Sequence, residues 1–447
     1  MMKELKAMKL WMMIAAGVLT ASWQVAFGLP QYGGPVKAKE YHVRRGIGHA
    51  MDKIKAGKSI NVAYFGGSIT EMDGWRRLSR EWLQTEYPRC RFKEIQAAIG
   101  GTGSDLGVYR FRRDVLDHDP DLVFVEFATN DSGADPESIW ANFEGFIRQA
   151  WRQDPEIDFV FVHTITSYMV KDYGAGVCPR AASAMEMLAD HYGIPSVCFG
   201  PRVMADVKAG RLVMSMGEVA TAVPAGAPDR DRLVNEELAK KGQVLFSADG
   251  VHPALPGHAY YLESLKAAWA AMRDLPPDDH ASRLATPFYD AQLEAAKMVP
   301  IRPEMCKGHW TKLPGTDPNQ ARFRERAGQI WVADTPGDRL CFKFNGTRCS
   351  VYDLIGPNCG RVWITVDGKR RGPVARFDEH CFYYRLAGFS VYVGSNGVHT
   401  VEIEVDRDQP DRKIVRKIYP QANVDDPAYD GTKLYVGQIE IVGEIVE

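Results

Sequence analysis

Four short stretches of the 447-residue chain carry side chains suited to acyl transfer. Ser68 follows Gly66-Gly67, where an apolar run ends in GGSIT. Asp249 and His252 stand three apart in SADGVHP, residues 247–253. A serine hydroxyl is a weak nucleophile until an oriented base takes its proton, and a histidine held by a carboxylate is such a base. Within a tight turn, that spacing lets Asp249 accept from one ring nitrogen of His252 while the other faces outward. Acyl transfer also builds negative charge on a carbonyl oxygen, which donors fixed in advance stabilise. The candidate donors are the backbone N–H of Ser68, an N–H of the glycine loop 100–103 and the side-chain amide of Asn130 in ATND. Gly101 is the first choice in that loop, with Gly100 and Gly103 able to supply the same group. The competing reading of Gly-Gly-Ser is ordinary turn chemistry.

Position along the chain decides between these readings. Apolar runs at 60–65, 92–99, 121–128, 158–165 and 194–199 start roughly 30 to 37 residues apart, the spacing of βα units. Between the third and fourth, Asp135-Pro136-Glu137 reads as N-cap, first-turn proline and early acid. Ile139, Phe143, Phe146, Ile147, Ala150 and Trp151 then fall on one helical face. Near-continuous apolar strands with intervening helices predict a parallel sheet covered on both faces. Ser68, the glycine loop and Asn130 follow the first three strands. In a 2-1-3-4-5 strand order those ends are neighbours, at the edge where open parallel sheets bind ligands.

Charge is nearly balanced, with 55 Lys+Arg against 57 Asp+Glu, which argues against a nucleic-acid partner. Lys3, Lys6 and Lys9 precede an apolar stretch to about Phe27, and Ala26-Phe27-Gly28 places small residues where a signal peptidase reads. Residues 1–28 are therefore expected to be a signal peptide of a secreted or periplasmic protein, the alternative being an uncleaved anchor. No later stretch resembles a membrane span. The eight cysteines include no C-x-x-C pair, which disfavours zinc, and in an oxidising compartment one or two disulfides are expected, against buried free thiols.

Residues 29–57 read as a lead-in, 58–275 as the α/β domain and 276–319 as an irregular linker that wraps the surface. From 320 to 447 strand-like segments follow closely, at 329–333, 340–344, 349–354, 361–366, 389–393 and 399–405. Asn345-Gly346 and Asp367-Gly368 between them favour tight hairpins. An antiparallel β-sandwich is expected. Residues 205–246, Gly-, Ala- and Pro-rich in part, are a candidate wall or lid of the pocket.

Other residues carry weaker claims. His163, at the end of the fourth strand, is a candidate for lining the substrate site, against a structural hydrogen-bonded histidine. Asp131 is a candidate to orient its loop or cap a helix. Glu71, Trp75 and Arg76 are weighed between touching substrate and core packing or a solvated face, with the latter favoured, and His258 reads as a helix residue. Trp331 and Trp363 are weighed between a sugar-stacking platform and core.

The ordered quartet resembles the SGNH (GDSL-like) hydrolase superfamily. The match is Ser68 in GGSIT, Gly101 in AAIGGTGS, Asn130 in ATND, and Asp249 with His252 in DGVH, within residues 58–275. Block one reads Gly-Gly-Ser-Ile in place of Gly-Asp-Ser-Leu. Block three has Ala128-Thr129 where glycine is frequent two positions before the asparagine. Neither departure removes a catalytic group. The resemblance implies a flavodoxin-like three-layer α/β/α domain with a five-stranded parallel sheet. It implies Ser68 as nucleophile, His252 as base and Asp249 as its orienter, with Ser68, Gly101 and Asn130 as the oxyanion hole. No metal or cofactor is implied. Exported members with an appended β domain resemble carbohydrate esterases, so a short acyl, O-acetyl ester on a polysaccharide or oligosaccharide is the expected substrate. The alternatives are a lipase or longer-chain carboxylesterase, and a vestigial glycan-binding surface protein.

Overall fold

The computed structural model describes residues 29–219 and 229–447. Residues Gly33–Glu447 form one compact unit. The expected signal peptide, 1–28, lies outside the described residues, and every element named here belongs to that unit.

Strands β1 (Tyr41–His42), β2 (Ile60–Gly66), β3 (Phe92–Gln96), β4 (Leu122–Glu126), β5 (Asp158–His163) and β6 (Ser196–Cys198) form one sheet in the order β3-β2-β4-β5-β6-β1. β2 to β6 run parallel in the 2-1-3-4-5 order. The expected count of five is corrected to six, because the lead-in segment pairs β1 antiparallel to β6 through Tyr41–Val197 and His42–Ser196.

Helices α1 (Ser68–Glu71), α2 (Trp75–Glu86), α3 (Ser104–Asp114), α4 (Pro136–Gln153) and α5 (Leu255–Met272) follow the strand ends or cover the faces. Side-chain alternation in β2 divides the core. Phe65 faces α3 and α4, with its ring 5.0–5.2 Å from those of Phe127, Phe111 and Phe146. Tyr64 faces the other side, against Trp75 at 5.4 Å. Gly107 lets α3 sit close, since a Cβ there would meet three phenylalanine rings at 3.2–3.3 Å. Each fully buried phenylalanine contributes about 1.5–3 kcal/mol of transfer energy. α4 buries the expected face. Asp135, however, makes no side-chain cap bond, and Pro136 in the first turn is what suits the helix start.

The segment 205–246, expected as a wall or lid, contains β7 (Leu212–Ser215) and runs into β8 (Val244–Ser247), which pairs parallel with it, and its residues 220–228 lie outside the described residues. The expected linker is corrected as well. Residues 276–319 supply β9 (Ala296–Pro300), β10 (Cys306–Lys307) and β11 (Trp310–Lys312) to the C-terminal sheet. Its earlier part does wrap the surface, held where buried Glu144 accepts the backbone N–H groups of Phe288, Tyr289 and Asp290 at 2.6–2.8 Å.

After α6 (Pro318–Ala327) come β12 (Trp331–Ala333), β13 (Arg339–Ile355), β14 (Arg361–Val366), β15 (Lys369–Ala375), β16 (Arg385–Val405) and β17 (Leu434–Val446). They complete one antiparallel sheet of nine strands, where two packed sheets of a sandwich were expected. Its two faces carry separate cores: Leu434 and Val436 pack with Val351 on one, Tyr435 with Tyr352 and Leu354 on the other. Asp367-Gly368 is the expected tight hairpin, with φ of 50° and 76°. Asn345-Gly346 is not a turn but lies within β13, where a bulge follows Gly346. All eight cysteines are unbridged. Cys349 sits in one core while Cys359 and Cys381 sit in the other, which separates Cys349 from the pair. Trp331 is core, and Trp363 is covered by the Arg370 guanidinium at 4.6 Å. No described helix is long and apolar enough to cross a membrane.

Candidate active site

β2 delivers Ser68 through a turn whose glycines are required by close approach. A Cβ on Gly66 would stand 2.5 Å from the carbonyl oxygen of Glu126, and one on Gly67 would stand 2.1 Å from Asn130 Oδ1. Neither glycine has positive φ. Beneath the turn, buried Glu126 accepts from Thr70 Oγ1 at 2.9 Å and Thr164 Oγ1 at 3.0 Å. Burial raises its pKa above the ordinary carboxylate value, against the pull of those hydroxyls. Arg76 donates to the carbonyls of Thr70 at 3.0 Å and Glu71 at 3.2 Å, fixing the end of α1.

The glycine loop is tied just as closely. Ile99 N–H donates to Gly66 O at 3.0 Å, Gly100 N–H to Glu71 Oε2 at 2.8 Å, and Ser104 N–H to Asp131 Oδ1 at 2.9 Å. Gly101 has φ +74°, the left-handed region that favours glycine. The buried Arg110 guanidinium donates to Ala97 O at 2.5 Å and Gly66 O at 3.4 Å, joining the ends of β2 and the loop after β3. Asp131 thus holds the start of α3 from outside; burial pushes its carboxyl up to about 7.

β8 ends in the loop that carries the acid and the imidazole. Asp249 Oδ2 accepts from His252 Nδ1 at 2.7 Å, and His252 Nε2 meets Ser68 Oγ at 2.8 Å. Asp249 Oδ1 receives the N–H groups of Val251 and His252 at 2.8 Å and Ser247 Oγ at 2.9 Å. Burial would raise this carboxyl, but the His252 ring, these N–H groups and Ser247 hold it well below the usual range. Gly250, at φ +83°, makes the turn possible, and its carbonyl accepts Ser167 N–H at 2.7 Å.

Ser68, Asn130, Asp249 and His252 therefore meet at one crevice, beside the loop that holds Gly101. Among the described residues no acceptor faces the N–H of Ser68, the N–H of Gly101 or the Asn130 amide nitrogen. A hydroxyl bonded to an imidazole that a carboxylate orients can pass its proton to that ring. His163 does not join them. It is fully buried and bonds Glu186 at 2.7 Å, so it packs behind the crevice and lines no surface. His258 is likewise structural, accepting Trp75 N–H at 3.1 Å. Glu71, Arg110 and Glu126 had no local motif to mark them, because each holds groups that lie on other elements, whereas Ser247 opens the Asp249–His252 loop itself.

A cavity of about 340 Å³ opens beside the glycine loop, between α3 and the C-terminal sheet. Thr102, Asp105, Tyr109, Ser350, Phe389 and Glu440 line it with Gly101 and Gly103. Burial, with Asp105 and Asp353 adding to it, pushes the Glu440 carboxyl up to about 8.

The sheet order and the sequence of strand-end blocks define an SGNH-type hydrolase domain. Residues 64–260 match the model of the GDSL-like lipase/acylhydrolase family. Among solved structures the chain is similar to a two-domain esterase active on acetylated mannans, co-crystallized with mannopentaose. The identity is 21%, the TM-score 0.65, and the alignment covers 91% of this chain and 97% of that one. A second structure described as a two-domain esterase active on acetylated mannans aligns with 21% identity, TM-score 0.64, and 91% and 98% coverage. These likenesses extend the shared fold across both halves. A search of curated proteins gives no match.

Proposed function

We propose that the protein is an exported serine esterase that hydrolyses short acyl, chiefly O-acetyl, esters on a polysaccharide or oligosaccharide. The observation that carries this reading is the unbroken hydrogen-bonded chain Ser68 Oγ, His252, Asp249. In the first half-reaction Ser68 Oγ bonds to the acyl carbonyl carbon as its proton passes to His252 Nε2. Asp249 accepts from Nδ1–H throughout and stabilises the imidazolium. The oxyanion forms against the N–H of Ser68, the N–H of Gly101 and the Asn130 amide. The C–O bond to the sugar then breaks, and the leaving alkoxide takes the proton from Nε2. Water attacks the acyl-enzyme in the same way, giving its proton to His252, and the carboxylic acid leaves as Ser68 recovers its hydrogen.

The carbohydrate substrate is supported by the cavity beside Gly101, whose hydroxyls, carboxyls and aromatic edges suit a hydroxyl-rich ring, and by the likeness to an esterase active on acetylated mannans. Export is supported by the basic and apolar pattern of residues 1–28. The test is acetate release across a panel of natively acetylated polysaccharides, run beside a p-nitrophenyl ester chain-length series, with Ser68→Ala as blank. A sharp fall in rate beyond acetate, together with release from at least one glycan, is expected. Equal or rising rates on long acyl chains would mark a lipase instead, and activity surviving in Ser68→Ala would end the serine mechanism.

A further inference from the structure

Glu71 closes the short helix that Ser68 opens, and its two carboxylate oxygens face in different directions. Oε2 accepts the N–H of Gly100 at 2.8 Å. Oε1 is ion-paired with Nη2 of Arg326, which lies on α6, 255 residues away and beyond the hydrolase domain. Arg326 is itself held, since Arg113 of α3 donates to its carbonyl at 2.8 Å.

The bond to Gly100 bears directly on the donor next to it. The Ile99–Gly100 peptide is gripped on both edges, its N–H by Glu71 and its carbonyl by Thr102 Oγ1 at 2.8 Å. The next peptide carries the N–H of Gly101. The loop also rests on the serine, since a Cβ on Gly100 would lie 3.4 Å from Ser68 Cβ and 2.6 Å from Glu71 Oε2. A bare carboxylate so close to Ser68 would repel the negative charge that acyl transfer develops there. Arg326 supplies the opposite charge and fixes the carboxylate as an acceptor.

We infer that Glu71 and Arg326 are positioning residues for the oxyanion donor at Gly101, so that the helix Pro318–Ala327, beyond the hydrolase half, completes the active site through this ion pair. The inference rests on the serine-esterase reading. A purely structural ion pair with both members about one-third exposed contributes little to stability. A positioning pair shows itself in kcat, because small displacements of a catalytic group are costly to the transition state alone.

The experiment uses the full chain and p-nitrophenyl acetate, comparing Arg326→Met, Arg326→Lys, Glu71→Gln and the Glu71→Gln/Arg326→Met double variant, with Ser68→Ala alongside. Arg326→Met is expected to lower kcat about tenfold or more, with KM changed less than about twofold and the melting temperature little changed. Arg326→Lys should restore part of the loss. The double variant should be faster than Arg326→Met, because the amide still accepts from Gly100 and no uncompensated charge remains. Parent-like kcat in Arg326→Met while Ser68→Ala is dead would overturn the inference and leave the esterase reading intact. So would a loss that follows the melting temperature and is recovered by neither second variant. Activity in Ser68→Ala would instead overturn the esterase reading itself.

Discussion

His252 Nε2 lies 2.8 Å from Ser68 Oγ although 184 residues separate them in sequence. The serine leaves the end of β2 and the histidine leaves the end of β8, two strands of different sheets. Asp249 joins the same hydrogen-bonded chain, so one imidazole ring connects all three groups.

Replacing Ser68 with alanine should therefore remove about 10⁴-fold or more of the esterase kcat. Asp249→Asn should cost about 10³–10⁴-fold, because an amide nitrogen facing Nδ1 selects the wrong imidazole tautomer. Both variants should keep their circular dichroism spectrum, and rates on p-nitrophenyl acetate would reveal the loss.

Gly67→Ala should lower kcat about 100-fold or more by driving Asn130 out of place, since the new methyl would stand 2.1 Å from its Oδ1. Asn130→Ala should behave alike, and combining the two should add little. Additive losses in steady-state kinetics would mean that Gly67 acts by another route.

Glu144→Ala should cost about 3 kcal/mol or more of stability, because three backbone N–H groups of residues 288–290 lose a charged acceptor. Chemical denaturation would measure this. Faster proteolysis within 276–295 should accompany it.

Glu440 makes stability depend on pH. Its folded pKa of about 8 stands above the unfolded value of about 4.3, so between these the folded state binds more protons than the unfolded. That contribution is complete below about pH 4 and is lost as pH rises towards 8. Glu440→Gln should accordingly raise the melting temperature at pH 8 relative to the parent, with a much smaller difference at pH 5. Equal differences at both pH values would show that the carboxyl ionises freely.

The hydrolase half was readable because its information is local. Each strand run, each following block and the Asp-x-x-His spacing sits in one stretch of chain. The C-terminal half was less readable for a physical reason. Its long strands cross bulges, so β13 reads as two shorter segments divided by a false turn at Asn345-Gly346, and β16 as two segments at 389–393 and 399–405. β17, buried along most of its length, and β9, which pairs with it, depend on partners distant in sequence. His163 was ambiguous for the same reason. A histidine at a strand end faces either the crevice or the core, and here Glu186 on another helix holds it in the core.

By itself, then, the sequence determined which residues stand at the ends of the parallel strands, because hydrophobic period and chain order dictate a doubly wound sheet. The tertiary structure alone decided which carboxylates and cations hold those ends: Glu126 under the serine turn, Arg110 between β2 and the glycine loop, and Arg326 on Glu71. Such pairings are made between side chains on separate elements, and no periodicity along the chain encodes the distance between them.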